Sequence, residues 1–138
     1  MSIDQLTFTS STNTLTASDV YNTLTAHAAI HAPSWYASSP FHATFASNIT
    51  HIAANCFKDK NVKTVIIPST ITNIGESAFE DTHFLEDVNL TGATALEKIP
   101  KKCSFNSYLK DINIPSTITK IEESAFSADC QAEYLYQY

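Results

Sequence analysis

The sequence predicts a mainly β fold, a short solenoid of stacked repeats whose N-terminus is closed by a hairpin and a helix. Three observations indicate it: one segment recurs letter for letter, an apolar pattern returns at a regular interval, and charged residues are few. Only 16% of the 138 residues are charged, which suits strands with hydroxyl-bearing surfaces better than a helical bundle. A chain of this length can form one domain with a buried core.

The letter-for-letter repeat lies in the second half of the chain. Ile67–Thr72 reads IPSTIT, and Ile114–Thr119 reads the same, 114 − 67 = 47 residues later. The residues that follow, NIGESAF in Asn73–Phe79 and KIEESAF in Lys120–Phe126, also match closely. Because a weaker copy lies between them, the interval spans two repeats.

The weaker copy becomes visible in the apolar spacing. Three segments share one pattern: Val62-x-x-Val65-x-Ile67, Leu85-x-x-Val88-x-Leu90 and Leu109-x-x-Ile112-x-Ile114. Their starts differ by 85 − 62 = 23 and 109 − 85 = 24 residues. This is the L-x-x-L-x-L core of leucine-rich repeats, whose period is roughly 20 to 29 residues. Phe41–Phe45 is predicted to be a degenerate earlier strand of the same kind.

The motif Ile-Pro-Ser-Thr-Ile-Thr-x-Ile-x-Glu-Ser-Ala-Phe resembles the repeat of BspA-like (Treponema pallidum type) leucine-rich-repeat proteins. The resemblance covers about residues 45–130, and the copy at Ile99–Phe105 (IPKKCSF) departs from it most. It implies a right-handed β-solenoid of about four to five turns. Members are often surface-exposed adhesins or ligand-binding proteins, so the resemblance also implies a possible place at the cell surface.

Side chains alternate along each predicted strand. Val65 and Ile67 are expected to point into the core, and Thr64 and Ile66 outward. Pro68 should close the strand, since proline donates no ladder hydrogen bond. A second apolar column of isoleucines is expected to line the opposite wall: Ile52, Ile74, Ile99 and Ile121.

Two domains are predicted, an N-terminal cap at residues 1–40 and the solenoid at residues 41–138. The cap carries no visible repeat. Ile3–Phe8 and Asn13–Thr16 are expected to pair as a hairpin around Ser10–Thr12.

A helix should follow this hairpin. Ser18 is predicted to be its N-cap, with the helix at about Asp19–His31. Val20, Leu24 and Ala28 form one apolar stripe, which would cover the open core of the first repeat.

The outward strand positions stack into polar columns that form a candidate binding face. It comprises Thr64, Ile66, Glu86, Asp87, Asn89, Lys110, Asp111 and Asn113. Adjacent strands lie about 4.8 Å apart, so Asp87 and Asp111 would repel unless bridged, and a Lys63, Glu86, Lys110 column would relieve part of this. The face suits a protein loop, a glycan or a cation, and a protein or glycan ligand is the prediction. A merely solvated sheet face remains the alternative.

The C-terminal end is predicted to be an open edge. A final strand through Tyr134, Leu135 and Tyr136 is not followed by a polar capping element, and Tyr134, Tyr136 and Tyr138 are the candidate contact residues of this edge. This edge could contact a second copy of the chain or a neighbour in a larger assembly.

Several function classes are disfavoured. The net charge of −6 argues against nucleic acid, and the longest apolar runs are too short to insert in a membrane. Residues 1–5 lack the basic and apolar regions of a secretory signal. With two glycines and no nucleophile, base and acid set, neither an enzymatic role nor a cofactor is expected.

Histidines and cysteines have structural interpretations. His27 and His31 lie one helical turn apart, as in a metal-binding pair, but no third ligand is evident and packed or surface histidines are favoured. Cys56 and Cys103 occupy the repeat position of Ala78, so they are expected to be small buried thiols.

The sequence therefore predicts a non-catalytic module that binds a protein or glycan through its repeat strand face. The alternative is a structural subunit of a surface layer, virion or large assembly, packed through the solenoid ends. Analogy to repeat proteins in general supports both.

Overall fold

Long and short strands alternate along the chain. The computed structural model describes residues 4–31, 40–82, 84–101, 114–122 and 125. The elements within these ranges are β1 (Asp4–Phe8), β2 (Thr14–Leu15), α1 (Ala17–His31), β3 (Phe41–Phe45), β4 (His51–Ile52), β5 (Val62–Ile66), β6 (Asn73–Ile74), β7 (Asp87–Asn89), β8 (Lys98–Ile99) and β9 (Lys120–Ile121).

Every strand pairs in parallel with a strand one turn away in the chain. The longer strands form one sheet in the order β1-β3-β5-β7, and the short strands form sheets β2-β4-β6 and β8-β9. Each of the first four turns therefore gives one strand to each wall, as expected of a solenoid. The predicted mainly β fold with one helix is confirmed in these respects.

A third side of the turns is held by backbone hydrogen bonds outside the strands. The amides of Asn55, Phe57 and Asp59 donate to the next turn's Glu76, Ala78 and Glu80 carbonyls at 3.2, 2.7 and 3.0 Å. Every second residue thus bonds the following turn. This accounts for backbone groups that would otherwise lack partners between stacked turns.

Residues with positive φ occur at equivalent positions of successive turns on this third side. Asn55 and Ser77 lie three residues after Ile52 and Ile74, with φ of 61° for both, and Asp59 and Asp81 are at 63° and 59°. Asn and Asp tolerate this conformation better than most residues. The turn geometry is thus a repeated feature, although its residue types vary.

The core lies between the walls, as the strand alternation predicts. Val65 and Ile67 are fully buried, whereas Ile66 is 47% exposed. Ile52, Ile74 and Ile99 are buried on the opposite wall. The predicted inward and outward positions of β5 are therefore correct, and β5 ends at Ile66, two residues before Pro68.

The predicted N-terminal hairpin is wrong. β1 pairs with β3 from Asp4↔Phe41 to Phe8↔Phe45, and β2 pairs with β4 through Leu15↔Ile52. Pairing in two walls buries Leu6, Phe8 and Leu15 together in the core. A two-stranded hairpin offers no comparable burial, so parallel addition to the solenoid is favoured.

The helix begins earlier than expected. It spans Ala17–His31, and its N-cap is Thr16 instead of Ser18. The Thr16 hydroxyl accepts from the Asp19 amide at 3.2 Å, and the Asp19 carboxylate accepts from the Thr16 amide at 3.0 Å. This reciprocal capping box satisfies two amides at once, which Ser18 could not do with Asp19. The predicted apolar stripe is correct, since Val20, Leu24 and Ala28 are buried.

The helix also explains why the first turn is hidden in the sequence. Leu15 and Ile52 occupy equivalent wall positions 52 − 15 = 37 residues apart, whereas Ile52 and Ile74 are 74 − 52 = 22 apart. The 15 residues of α1 account for the difference.

Candidate functional site

The outward side of the β1-β3-β5-β7 sheet, hereafter the strand face, carries polar side chains in register. One column runs through Gln5, His42, Thr64 and Asp87 on four successive strands. A second contains the paired Thr7 and Thr44, and the paired Ile66 and Asn89. The predicted stacking of Thr64 on Asp87 and of Ile66 on Asn89 is therefore confirmed.

Hydroxyl contacts order the first half of the strand face. His42 Nδ1 lies 2.6 Å from Thr64 Oγ1, and the Thr7 and Thr44 hydroxyls are 3.0 Å apart. Each contact crosses from one turn to the next. Cross-strand pairs of this kind contribute a few tenths of a kcal/mol to about 1 kcal/mol and limit side-chain freedom.

Charged side chains flank these columns. Lys63 Nζ lies 3.6 Å from Glu86 Oε1, with 30% and 50% of the two side chains exposed. The predicted adjacency of Lys63 and Glu86 is thus confirmed. An exposed pair like this stabilises folding by at most about 1 kcal/mol, so its main effect is on the charge pattern of the face.

Asn89 is held by its own turn. Its Oδ1 accepts hydrogen bonds from the Thr91 amide at 3.0 Å and the Thr91 hydroxyl at 2.6 Å. The amide nitrogen of the side chain remains the group that Asn89 can offer to a ligand. Asp87, two residues earlier, is exposed, and Asn89 is half-buried.

Other predicted contact residues lie outside the described part of the chain. These are Lys110, Asp111 and Asn113 of the candidate face and Tyr134, Tyr136 and Tyr138 of the C-terminal edge. The repulsion between Asp87 and Asp111 therefore stays a prediction. Conversely, sequence reasoning missed Gln5, Thr7, His42 and Thr44, because the helix breaks the repeat period before β3.

The histidine pair is only partly described. His27 is half-buried on α1, and the His31 side chain lies outside the described set. Within the described ranges, no three His, Cys, Asp or Glu side chains cluster as a metal site would require. Nor is any helix in those ranges long and apolar enough to cross a membrane.

Cys56 matches its structural interpretation. It is a fully buried free thiol whose Sγ lies 3.5 Å from the Leu15 carbonyl, and Ala78 in the next turn is buried in the same way. Burial, with the nearby Asp19 charge, raises the pKa of the Cys56 thiol to about 12. Cys103 and Cys130 lie outside the described residues.

Cys56 should therefore resist thiol reagents in the folded protein, because the thiolate is the reactive form. In a Cys103→Ser, Cys130→Ser background, we expect modification at pH 8 to occur only as fast as the protein unfolds, and at once in denaturant. The raised pKa also means that the folded state keeps a proton that the unfolded thiol loses above its ordinary pKa of 9.0. The free energy of unfolding should therefore fall as the pH rises from 9.0 towards the folded-state pKa of about 12. Rapid labelling of the native protein would contradict the buried position.

Comparison with known proteins agrees with the repeat architecture. The sequence matches the family model described as BspA type Leucine rich repeat region (6 copies) over residues 1–133. No curated protein matches it.

Two solved structures are similar to the chain. A leucine rich cell surface protein from Faecalibacterium prausnitzii A2-165 is 26% identical with a TM-score of 0.53, over 61% of this chain and 22% of that one. A leucine-rich repeat protein from Bacteroides capillosus ATCC 29799 is 27% identical with a TM-score of 0.49, over 57% of this chain and 60% of that one. The chain thus spans less than two thirds of either protein.

The family match includes the first turn, where β1 and β2 continue both walls in parallel. Parallel strands that return turn by turn and a repeat model matched over residues 1–133 lead to one assignment. The chain belongs to the BspA-type leucine-rich repeat family.

Proposed function

We propose that this protein is a non-catalytic interaction module whose strand face binds a protein or glycan ligand. The observation that carries the proposal is the register of polar side chains across four adjacent strands, ending at Asp87 and Asn89. Such a face is flat and regular. It offers hydrogen-bonding groups at the spacing of the strands, about 4.8 Å.

The charge and shape of the face favour one kind of ligand. Glu86 and Asp87 are exposed carboxylates, and the chain carries a net charge of −6. Ile66, 47% exposed, adds one apolar contact at the centre. A surface with basic or hydroxyl groups around a small apolar patch complements this arrangement.

The surface location of the Faecalibacterium protein supports a similar place for this chain, with adhesion as the biological role. The alternative is a structural subunit of a surface layer, virion or other large assembly that packs through the solenoid ends, including Tyr134, Tyr136 and Tyr138. It predicts oligomers, detectable by light scattering, that dissociate when residues 134–138 are removed.

Affinity capture from the native source with an Asp87→Lys, Asp111→Lys variant tests the strand face. We expect a ligand captured by the wild type to be lost, because the charge of the face is reversed. Glu76→Lys with Glu97→Lys is the matched control, since it changes net charge equally at exposed positions outside the face. Equal capture by both variants would contradict binding at the strand face.

We also propose that the solenoid is right-handed and that α1, in place of the whole predicted cap at residues 1–40, covers the core at the open end of the first turn. The contact of α1 with β1 and the burial of Val20 and Leu24 support a capping role. A chain that begins at residue 41 should then aggregate where the full chain does not, as measured by size-exclusion chromatography.

A further inference from the structure

An open cleft of about 470 Å³ lies at the N-terminal end of the solenoid. Thr7, Thr9 and the loop after them line one side, and Asp19, Asn22 and Ala26 of α1 line the other. These helix residues are spaced three and four apart, so they form one helix face beside the strand. Neither the predicted binding face nor the C-terminal edge includes this region.

The cleft borders β1 at Thr7, near the C-terminal end of that strand. β1 is the first strand of its sheet: β3 pairs with it on one side, and no described strand pairs with it on the other. An edge strand presents a row of N–H and C=O groups that can pair with another chain. β3, β5 and β7 each pair with the preceding strand of the sheet along the equivalent edge. A segment added at β1 would therefore repeat a pairing that this fold already contains.

The cleft is polar, and the carboxylate of Asp19, which also caps the helix, gives its lining one negative charge. The Thr16 amide donates to the Asp19 carboxylate and, despite some burial, holds the pKa of Asp19 below its usual value. Asp19 is thus ionised at neutral pH, and Asn22 next to it is exposed. Both groups favour a cation or a hydrogen-bond donor. The Thr23 hydroxyl, in contrast, donates to the Asp19 carbonyl within the helix and is not available for this role.

We infer that this cleft binds an extended, basic polypeptide segment that pairs with the free edge of β1 and places a cationic side chain near Asp19. A partner segment of opposite charge is favoured over a second copy of this chain, because two copies of net charge −6 repel each other. The cleft shares only Thr7 with the residues named for the strand face and lacks Asp87 and Asn89, so the two proposals can fail independently.

Peptide titration followed by ¹H–¹⁵N NMR tests the inference. The probe is the heptapeptide Thr-Lys-Thr-Val-Thr-Lys-Thr, and its matched control has Glu in place of both Lys. We expect shifts at Thr7, Thr9 and Asn22, and at least tenfold weaker binding of the Glu peptide. Methylation of alternate backbone nitrogens of the Lys peptide should also abolish binding, since an added strand requires those donors.

Two protein variants locate the bound peptide. Ala26→Trp fills the cleft from an exposed helix position and should weaken binding at least tenfold while circular dichroism stays unchanged. Asp87→Lys on the strand face should leave binding unaltered. The inference is overturned if the Lys peptide does not bind at about 1 mM, if the Glu peptide binds equally, if Ala26→Trp has no effect, or if the shifts centre on the strand face. Self-association that buries β1 would overturn it in favour of a second copy.

Discussion

Replacing Gly75 with alanine should destabilise the protein by about 3 kcal/mol, because the added methyl group meets backbone that cannot move independently. A Cβ at this position would lie 2.3 Å from the Ala54 nitrogen and 2.6 Å from the Ala53 carbonyl carbon. The Gly75 amide also donates to the Ile52 carbonyl at 2.7 Å, which holds the two turns at this separation. Relief of the clash therefore requires the turns to separate and this hydrogen bond to lengthen.

Gly92→Ala is the matched control. A Cβ there would have the Ile67 carbonyl oxygen as its nearest neighbour, at 3.9 Å. Neither glycine has positive φ, so alanine can adopt both backbone conformations and only the contacts differ. We expect Gly92→Ala to leave stability unchanged or raise it by up to about 1 kcal/mol through the unfolded state.

Thermal and urea unfolding would measure both variants. A loss of about 3 kcal/mol corresponds to a fall in melting temperature of about 10 °C for a domain of this size. If Gly75→Ala and Gly92→Ala melt within about 2 °C of each other, the close approach of the second and third turns is not a constraint on stability.

The repeat period was the most informative feature of the sequence, because it sets strand register directly. A shift by one residue would exchange Val65 with the outward-facing Ile66, so the apolar pattern allows one register only. This is why the pairing of Thr64 with Asp87 could be predicted from the sequence alone. The strand face could therefore be predicted from β5 onward, where the repeat period is regular, and not on β1 and β3.

The first turn was missed for a physical reason. A helix rises less per residue than a strand, so the 15 residues of α1 add length to the turn while Leu15 and Ile52 still stack. The interval of 52 − 15 = 37 residues lies outside the period of roughly 20 to 29 that identifies these repeats in a sequence. The cleft beside β1 was missed for the same reason, since it exists only because α1 lies beside a strand of the solenoid.

Local signals were also insufficient at two places. Thr16 and Ser18 are both good N-cap residues, and only the reciprocal bonds between Thr16 and Asp19 decide between them. Ser77 adopts φ of 61° although serine has no strong preference for it. Stacking on the turn that contains Asn55 imposes this conformation, which a single repeat does not reveal.

Phe57 should be the most sensitive aromatic position. Its ring stacks on Phe79 of the next turn, with centroids 5.2 Å apart, and makes an edge contact with Phe8 of the first turn at 5.0 Å. The side chain is fully buried. Phe57→Ala leaves a cavity between three turns, and we expect a loss of about 3–5 kcal/mol in the free energy of unfolding.

Phe84→Ala is the control for removing a phenylalanine, because Phe84 is 45% exposed and should cost less than about 1 kcal/mol. A double-mutant cycle of Phe57 and Phe79 should give a coupling energy of about 0.5–1.5 kcal/mol for the stacked pair. Similar losses from Phe57→Ala and Phe84→Ala in urea unfolding would refute the central position of this ring.

The same variant also tests how the turns are coupled. In a solenoid, stability is the sum of the turns and of the interfaces between neighbours, so weakening an internal interface can uncouple the ends. Because Phe57 contacts Phe8 on one side and Phe79 on the other, its loss should lower the hydrogen-exchange protection of the β1 and β7 amides together. If β1 alone loses protection, the first turn is a separate cooperative unit attached to the remaining solenoid, and Phe57 belongs to their boundary.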